Sequence, residues 1–426
     1  MRAVVLGNGC SGKAAAELLR REGAEVTILD GKDAWPEGDF DLAVTSPGVP
    51  LDHPWQQAAR AQGVRVISEL QLGAERWRAA GGRLLAVTGS KGKSSVVKLV
   101  ADTLNLAGVA AVPCGNYGTP LCEVCLGGTG NGERGMGNGE RGTDASMPFP
   151  IPRSPLPIAV VEVSSFQMET TDLPPDTFAA AALLNLQDDH LDRHGSRATY
   201  HALKRRLLAQ AVRAFDFSRV AAADVAPADR ALLAGGYFDN PVLLPNGAAA
   251  VALLRAAGLA DAAIAAGSAA FAPLPHRMAL VCERDGVRYI DDSKATSIAA
   301  LCAGVAMATA SAAARSGVSG PVCRLIAGGL AKGDNPKNAN TLLQSGVKKV
   351  YLIGRCAQQL QEAWSGTVPC EMCGTLENAV AAARRDAIRG EIVLLSPGTA
   401  SFDQFQSYTE RGEAFATFAK EGTEEK

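Results

Sequence analysis

The chain has 426 residues, of which 47% are hydrophobic and 20% are charged, and its formal net charge at pH 7 is −2. This length predicts two or three domains rather than one, and the apolar fraction excludes a largely disordered chain. The nearly balanced charge argues against a protein that binds nucleic acid through a broad basic surface.

The first ten residues form a short apolar run that lacks the long hydrophobic region of a signal peptide. No later stretch predicts a membrane span. We therefore expect a cytoplasmic monomer that contacts neither membrane nor nucleic acid. The ten cysteines include two CxxC pairs, Cys122 with Cys125 and Cys370 with Cys373, which could together supply four zinc ligands. Because the two pairs lie far apart in the chain, we favour free thiols.

The first segment alternates strand and helix patterns. This alternation predicts a parallel sheet flanked by helices. The predicted strands cover 2–6, 25–30, 42–46 and 65–68, and the first helix covers 12–21.

A glycine pattern follows the first strand. Gly7, Gly9 and Gly12 fit GxGxxG, and Asp30 ends the second strand. Such a turn brings a helix N-terminus close to phosphate, and an acid at this spacing binds a ribose hydroxyl. Residues 46–48, Ser-Pro-Gly, add a second loop at the same edge of the sheet. The pattern fits an NAD-dependent dehydrogenase, a site for another nucleotide diphosphate such as a UDP-sugar, or a turn without a ligand.

A second α/β segment begins with an apolar strand over 84–88, which runs into the sequence TGSKGKSS at 88–95. The sequence departs from the strict GxxxxGK[ST] pattern because Val87 occupies the place of the first glycine. The order of strand, Gly-rich turn, GKS and helix still predicts a loop whose backbone N–H groups cradle phosphate. In such a loop Lys93 reaches the β- and γ-phosphates, and the Ser94 hydroxyl binds Mg²⁺.

Two further segments suit a hard cation. Glu162 ends an apolar strand pattern, where burial of an acid is costly unless the acid is paired or binds a metal. Residues 185–194, NLQDDHLDRH, form a polar loop after a strand over 180–184, and Lys204 lies on a helix that begins near Arg197. A salt bridge at Glu162 and plain solvation of the loop side chains remain open alternatives.

Prolines at 273 and 275 interrupt an Ala-rich helical stretch, and further strands are predicted over 324–327, 349–353 and 392–396. We therefore predict three α/β domains. They are a Rossmann-like domain over 1–79, a central P-loop ATPase-type domain over 80–272 and a C-terminal Rossmann-like domain over 273–426.

Residues 127–157 differ from the rest of the chain. They contain a tandem GNGERG repeat and almost no large apolar side chains. Because such a segment can bury little apolar surface, we predict a flexible surface insertion in the central domain.

Seven motifs occur in an order typical of one enzyme family: TGSKGKSS, GNYGTPL, VEVSSFQMETT, NLQDDHLDRH, LPHR, DDSKATS and LLSPGTASFDQF. They span nearly the whole chain, which on this basis resembles the Mur ligases. The resemblance implies an N-terminal domain for a UDP moiety, a central ATPase domain and a C-terminal domain for an amino acid. The segments SSFQMETT and LLSPGTASFDQF are similar to those of the members that add D-glutamate to UDP-N-acetylmuramoyl-L-alanine.

The resemblance also implies a residue set for each ligand. The implied ATP contacts are Gly89, Ser90, Lys91, Gly92, Lys93, Ser94, Ser95, Asn246, Arg277, Asp292 and Lys294. The implied contacts to the UDP substrate are Cys10, Ser11, Asp30, Ser46, Gly48, Asn116 and Ser164, and those to the amino acid are Thr296, Lys332, Ser401 and Tyr408.

The implied catalytic residues are Lys93, His190, Lys204 and Arg277. Two Mg²⁺ ions are expected, held by Ser94, Glu162, His190 and Lys204. Lys204 matches a family lysine that CO₂ converts to a carbamate, an oxygen anion that suits a hard cation better than an ammonium does. The forked donors of Arg277 suit a phosphate.

The implied reaction joins D-glutamate to UDP-N-acetylmuramoyl-L-alanine through an acyl phosphate, in peptidoglycan precursor synthesis, with the domains closing around the substrates. One alternative is another ligase of the same superfamily, such as a folylpolyglutamate synthetase. A second is the NAD-dependent dehydrogenase, which leaves the GKS loop unexplained. A third is a non-enzymatic P-loop nucleotide switch, which leaves the motifs of the other domains unexplained.

Overall fold

The computed structural model describes residues 1–127, 156–187, 189–316, 320–331 and 333–421. Over these ranges the strands form three sheets, of four, five and six strands. The chain divides into two compact units, one of Met1–Asp239 with Leu244–Phe271 and one of Asn240–Leu243 with Ala272–Lys426. The predicted α/β class with parallel sheets is confirmed. Most of the predicted insertion at 127–157, and Lys332, lie outside the described residues.

The first sheet is parallel throughout and has the strand order β2-β1-β3-β4. Its strands match the predicted ones to within one residue. Both faces are covered by apolar side chains, as expected of a parallel sheet between helices. The strands are β1 (Arg2–Leu6), β2 (Glu25–Leu29), β3 (Leu42–Thr45) and β4 (Arg65–Ser68), and the helices are α1 (Cys10–Arg21), α2 (Pro54–Ala61) and α3 (Glu69–Ala79).

The second sheet belongs to the same unit and is also parallel, with the order β6-β7-β5-β8-β9. Its strands are β5 (Leu84–Thr88), β6 (Ala111–Gly115), β7 (Ile158–Glu162), β8 (Phe178–Leu183) and β9 (Ala211–Asp216). Its helices are α4 (Lys93–Leu106), α5 (Leu121–Cys125), α6 (Ser165–Met168), α7 (Leu191–His194), α8 (Arg197–Arg206), α9 (Pro227–Leu233), α10 (Leu244–Ala257) and α11 (Asp261–Ala270).

The position of β5 determines where the candidate site lies. This strand, LLAVT, is buried along its whole length and lies between β7 and β8. Because all three strands are parallel, their carboxyl ends meet at one edge of the sheet. At that edge Val87 is opposite Glu162, and Thr88 is opposite Leu183. The segments that follow these strands carry most of the residues predicted for ATP and metal.

The third sheet lies in the second unit and has the order β10-β11-β15-β12-β13-β14. Only β10 runs antiparallel to its neighbour among the described strands. The strands are β10 (Ala279–Arg284), β11 (Val287–Asp291), β12 (Cys323–Gly328), β13 (Val347–Ile353), β14 (Cys370–Gly374) and β15 (Ile392–Leu395), and the helices are α12 (Ile298–Ser316), α13 (Asn340–Gly346), α14 (Ala357–Trp364), α15 (Leu376–Asp386) and α16 (Tyr408–Lys420).

None of the described helices combines the length and the apolar character that crossing a bilayer requires. All ten cysteines are free thiols. Cys122 and Cys125 lie on α5 in the first unit, and Cys370 and Cys373 lie on β14 in the second. Within the described ranges no three His, Cys, Asp or Glu side chains are grouped as metal ligands.

Candidate active site

The predicted phosphate loop, residues 89–92, connects β5 to α4. Gly92 has φ of 83°, and a Cβ atom there would lie 2.3 Å from Nδ2 of Asn246. Glycine is therefore required for both conformation and space. Ser94 and Ser95 lie in the first turn of α4, so its free N–H groups face the loop. The residues predicted for ATP over 89–95 thus lie in the loop and in the first turn of α4. The buried Asn246 of α10 lies beside Gly92.

Two side chains hold the loop, one from the segment after β8 and one from α8, and the sequence assigned them no role. Asn185 accepts from the Lys91 N–H at 2.8 Å and donates to the Lys91 carbonyl at 2.9 Å. The Tyr200 hydroxyl lies 3.0 Å from Oγ of Ser90. The signal that could have identified Tyr200 is its spacing of four residues from Lys204, which predicts that both lie on one face of a helix.

Two lysines donate to the same loop carbonyl. Nζ of Lys93 lies 3.0 Å from the Gly89 oxygen, and Nζ of Lys204 lies 2.9 Å from it. Lys204 is 2% exposed. Burial, reinforced by the positive charge of Lys93, lowers the pKa of Lys204 to about 7. A large fraction of Lys204 is therefore a neutral, nucleophilic amine near pH 7.

Glu162 ends β7 beside this loop and is buried. Its Oε1 accepts a hydrogen bond of 2.8 Å from Nδ2 of Asn116, whereas its Oε2 is buried without a hydrogen-bond partner. A buried carboxylate oxygen without a partner carries a large desolvation cost. The oxygen is suited to a hard cation. Asn116, predicted to contact the substrate, here orients this carboxylate.

His190 precedes α7 and has a left-handed backbone with φ of 52°. Its ring packs 4.8 Å from the ring of Phe166 and 6.3 Å from that of Tyr200, measured between centroids. Its side chain is 47% exposed, so it remains accessible to a ligand. Ser164 caps α6 in a reciprocal arrangement with Gln167, so the hydroxyl predicted for substrate also has a structural role.

Five of the seven residues predicted for the UDP substrate line one cavity of about 470 Å³ at the carboxyl edge of the first sheet, whereas Asn116 and Ser164 follow strands of the second sheet. Gly12 is needed there because a Cβ would lie 1.8 Å from the Gly7 oxygen. His53 and Trp55 also line the cavity, although the sequence assigned them no role. The predicted residues that line it are Cys10, Ser11, Asp30, Ser46 and Gly48.

In the second unit, Arg277 lies between two residues with positive φ, His276 at 58° and Met278 at 50°. Nδ1 of His276 lies 2.6 Å from Oδ2 of Asp291. Asp292 is buried and accepts from the Ser396 hydroxyl at 2.8 Å. Burial raises the pKa of Asp292 to about 7.

The described residues predicted for the amino acid, Thr296, Ser401 and Tyr408, also lie in this unit. Nζ of Lys294 lies 3.7 Å from the ring centroid of Tyr408, at the start of α16. Ser401 is buried after β15, and the Thr296 N–H donates to the Lys294 carbonyl at 2.9 Å. Lys332 lies outside the described residues.

Arg411 was missed by the sequence interpretation. It is buried on α16 and donates to the carbonyls of Ser293 and Thr399 at 2.9 and 3.2 Å. It therefore ties together the loops that carry Lys294 and Ser401. Its position one helical turn after Tyr408 was the available signal.

Comparisons with known proteins identify the family. The family model described as the Mur ligase middle domain matches residues 87–214. The chain is 36% identical to a UDP-N-acetylmuramoylalanine–D-glutamate ligase of Frankia casuarinae, over 99% of this chain and 89% of the relative. It is also 36% identical to the protein of that name from Sphingopyxis alaskensis, over 97% and 96%.

The chain belongs to the Mur ligase family. Solved structures show the same fold at low identity. UDP-N-acetylmuramate-alanine ligase from Thermotoga maritima has a TM-score of 0.56 at 16% identity, with 98% of each chain covered. The Thermotoga maritima MurF ligase in complex with ADP has a TM-score of 0.53 at 14% identity, over 89% of this chain and 88% of that chain. Membership of this family leaves the dehydrogenase and the non-enzymatic switch without support.

Proposed function

We propose that this Mur ligase uses ATP to join D-glutamate to UDP-N-acetylmuramoyl-L-alanine, in the synthesis of a peptidoglycan precursor. The support is that relatives with this name match nearly the full length of the chain. We further propose three functional domains, over 1–79 for the UDP moiety, 80–272 for ATP and 273–426 for the amino acid.

The observation that carries the proposal is the surroundings of the phosphate loop. A carboxylate oxygen of Glu162 is buried there without a partner, and the buried amine of Lys204 donates to Gly89. A nucleotide-binding loop alone would not need either group. A buried carboxylate oxygen and an amine that can become an anion fit a site that binds divalent cations for phosphoryl transfer.

The residues present fit divalent cations. Ser94, Glu162, His190 and Lys204 as its carbamate would hold two Mg²⁺ ions. When bound, these ions neutralise charge on the phosphate groups of the nucleotide.

Lys204 itself would be modified before catalysis. Its neutral amine attacks the carbon of CO₂, an N–C bond forms, and the amine loses a proton to solvent. The product is a carbamate anion. Burial favours this step, because the lowered pKa of Lys204 provides the neutral amine near pH 7.

The reaction would proceed in two transfers. The terminal carboxylate oxygen of UDP-N-acetylmuramoyl-L-alanine attacks the γ-phosphorus of ATP, and ADP leaves. The amine of D-glutamate then attacks the resulting acyl phosphate, and the tetrahedral intermediate expels phosphate and loses a proton. Lys93 and Arg277 would bind the transferring phosphoryl group and stabilise its charge. Asn246, Asp292 and Lys294 would bind the nucleotide.

The amino acid would be held by Thr296, Lys332, Ser401 and Tyr408. Lys332 would pair with a carboxylate of D-glutamate. The seven residues proposed for the UDP substrate include five that line the cavity of the first sheet.

An assay of phosphate release tests the proposal. The protein is mixed with ATP, Mg²⁺ and UDP-N-acetylmuramoyl-L-alanine, with either D- or L-glutamate. We expect release that requires the UDP substrate and D-glutamate and that is much slower with the L-isomer. Failure to consume ATP with all substrates present would contradict the proposed function.

A further inference from the structure

Arg193 connects the nucleotide cavity of the first sheet to the phosphate-loop region of the second. Its Nη2 donates to the carbonyl of Val49 at 3.1 Å and to that of Pro47 at 3.4 Å. The same Nη2 lies 2.6 Å from Oε2 of Glu169. Only 17% of the Arg193 side chain and 6% of that of Glu169 are exposed. One guanidinium therefore serves three acceptors in a mostly buried setting, where such bonds are strong.

The first end of this connection is the loop over 46–50, which lines the cavity. The Ser46 hydroxyl donates to the Gly7 carbonyl at 3.2 Å, and the Val49 N–H donates to the Ser46 carbonyl at 3.0 Å. The loop is thus bonded to the Gly-rich turn on one side and to Arg193 on the other. A nucleotide that contacts the loop would limit the movement of the Pro47 and Val49 carbonyls, which Arg193 binds.

The second end is His190. Arg193 and His194 are the last residues of α7, and both donate their N–H to the His190 carbonyl, at 3.2 and 3.0 Å. Phe166 packs against the His190 ring, and the Arg193 guanidinium lies 5.1 Å from the centroid of the same Phe166 ring. Because His190 has a left-handed backbone, its position depends on these anchors.

Glu169 contacts both Arg193 and His194 and so links α7 to α6. Its Oε1 lies 3.1 Å from Nδ1 of His194, and Nε2 of His194 lies 3.0 Å from the Ser165 hydroxyl. Ser165 and Glu169 thus hold the C-terminal end of α7 against α6. Because these contacts restrain α7, we expect a displacement of Arg193 to move His190 as well.

We propose that Arg193 is a positioning residue that couples binding of a uridine nucleotide in the first-sheet cavity to binding of Mg²⁺–nucleotide at the phosphate loop. This inference rests on the proposed function, which assigns the two ligands to these sites. The coupling is reciprocal, because each ligand must favour the other by the same factor. Through this coupling, the phosphate loop would bind its nucleotide most tightly when the UDP substrate is present.

Calorimetric titration tests the coupling without turnover. Mg·ADP is titrated into the full chain with and without saturating UDP, for the wild type and for Arg193→Gln. In the wild type we expect UDP to tighten Mg·ADP binding by at least about fivefold, the lower range of measured couplings. In Arg193→Gln we expect this ratio to fall close to one.

Arg78→Gln is the matched control. Arg78 also forms a bidentate pair, with Asp176, but this pair lies on the surface of the same unit and does not contact the loop over 46–50. It should keep the wild-type ratio. A variant that is merely less stable would weaken both affinities and leave their ratio unchanged, so the ratio reports coupling and not folding.

Arg193→Lys provides a second measurement that retains the buried charge and the pair with Glu169. We expect it to lose coupling as well, because arginine binds Glu169 through Nε while its Nη2 reaches the two carbonyls, whereas lysine has one nitrogen for all of these acceptors. A wild-type ratio near one, or an unchanged ratio in both Arg193 variants, overturns the inference. Unchanged ratios with D-glutamate-dependent phosphate release intact would leave the proposed function standing, whereas absent release would contradict that function itself.

Discussion

At the scale of single residues, the site depends on charges placed where solvent cannot stabilise them. Lys93 and Lys204 donate to one carbonyl, and Glu162 keeps a buried oxygen without a partner. Each arrangement is unfavourable for the protein alone and becomes favourable when phosphate or a cation is bound. The two lysines differ in environment, so they are expected to respond differently to substitution.

Substitution of Lys93 should eliminate catalysis and leave the fold intact. We expect Lys93→Ala to lower kcat by at least about 10²–10³-fold, because one preorganised donor to the phosphoryl group is lost. The measurement is phosphate release at saturating substrates, with circular dichroism as a check on folding. Lys98→Ala is the control, since Lys98 lies on the same helix but pairs with Asp102. Near wild-type turnover in Lys93→Ala would count against the assignment.

Substitution of Lys204 should stabilise the ligand-free protein while inactivating it. Because the pKa of Lys204 falls from 10.5 to about 7 on folding, the unfolded chain binds this proton more tightly. The cost to stability is absent above pH 10.5, grows as the pH falls, and is complete below pH 7. Removal of the charge in Lys204→Met should raise the unfolding free energy at pH 6 by on the order of 3 kcal/mol.

Urea unfolding in CO₂-free buffer at pH 6 and pH 9 measures this effect. The gain from Lys204→Met should be smaller at pH 9 than at pH 6. The exposed Lys13 provides the control, and Lys13→Met should change stability little at either pH. A gain independent of pH would show that the buried charge is not its origin.

At the scale of elements, the two proposed nucleotide sites lie at tight turns after the carboxyl ends of β1 and β5. In each turn a glycine meets other atoms at a distance that no side chain could tolerate. Helix starts are also specified locally. Ser68, Ser164, Ser196, Thr375 and Ser407 each cap the helix that follows.

The first turn allows a matched pair of glycine substitutions. A Cβ at position 12 would lie 1.8 Å from the Gly7 oxygen, whereas one at position 9 meets no atom within 4 Å. We expect Gly12→Ala to destabilise the protein by about 2–3 kcal/mol and to weaken UDP binding. Gly9→Ala should cost under about 1 kcal/mol, because Gly9 has an ordinary negative φ. Thermal unfolding and UDP titration of both variants measure the difference, and equal stability of the two would contradict the packing argument.

At the scale of the whole molecule, the described residues form two compact units, the first with two sheets and the second with one, and each has its own apolar core. The residues proposed for UDP lie in the first unit, and the described residues proposed for the amino acid lie in the second. Ligands are therefore expected to stabilise the units separately.

Differential scanning calorimetry tests this separation. We expect two transitions, of which UDP shifts only the one that belongs to the first unit. At a hundred times its Kd, UDP should add about 2.7 kcal/mol to the stability of that unit, which corresponds to a shift of roughly 5–10 °C. A single cooperative transition, or a shift of both transitions by UDP alone, would contradict independent units.

Many of the fold elements and both Gly-rich turns could be predicted from the sequence alone. The strand and helix alternation, the GxGxxG turn and the phosphate loop depend on local backbone requirements and on hydrophobic period, which are visible in one dimension. The ordered motifs gave the family, and full-length relatives confirmed it. The roles of the individual site residues, the three-domain division and the insertion at 127–157 stay predictions.

Other properties were decided only by the tertiary structure, because they arise from contacts between residues far apart in the chain. Whether Lys204 is neutral depends on its burial beside Lys93, and whether Glu162 has a free oxygen depends on where Asn116 lies. No local pattern predicts that Arg193 binds the carbonyls of Pro47 and Val49, about 145 positions away. Such contacts follow from how the elements pack and not from the spacing of any motif.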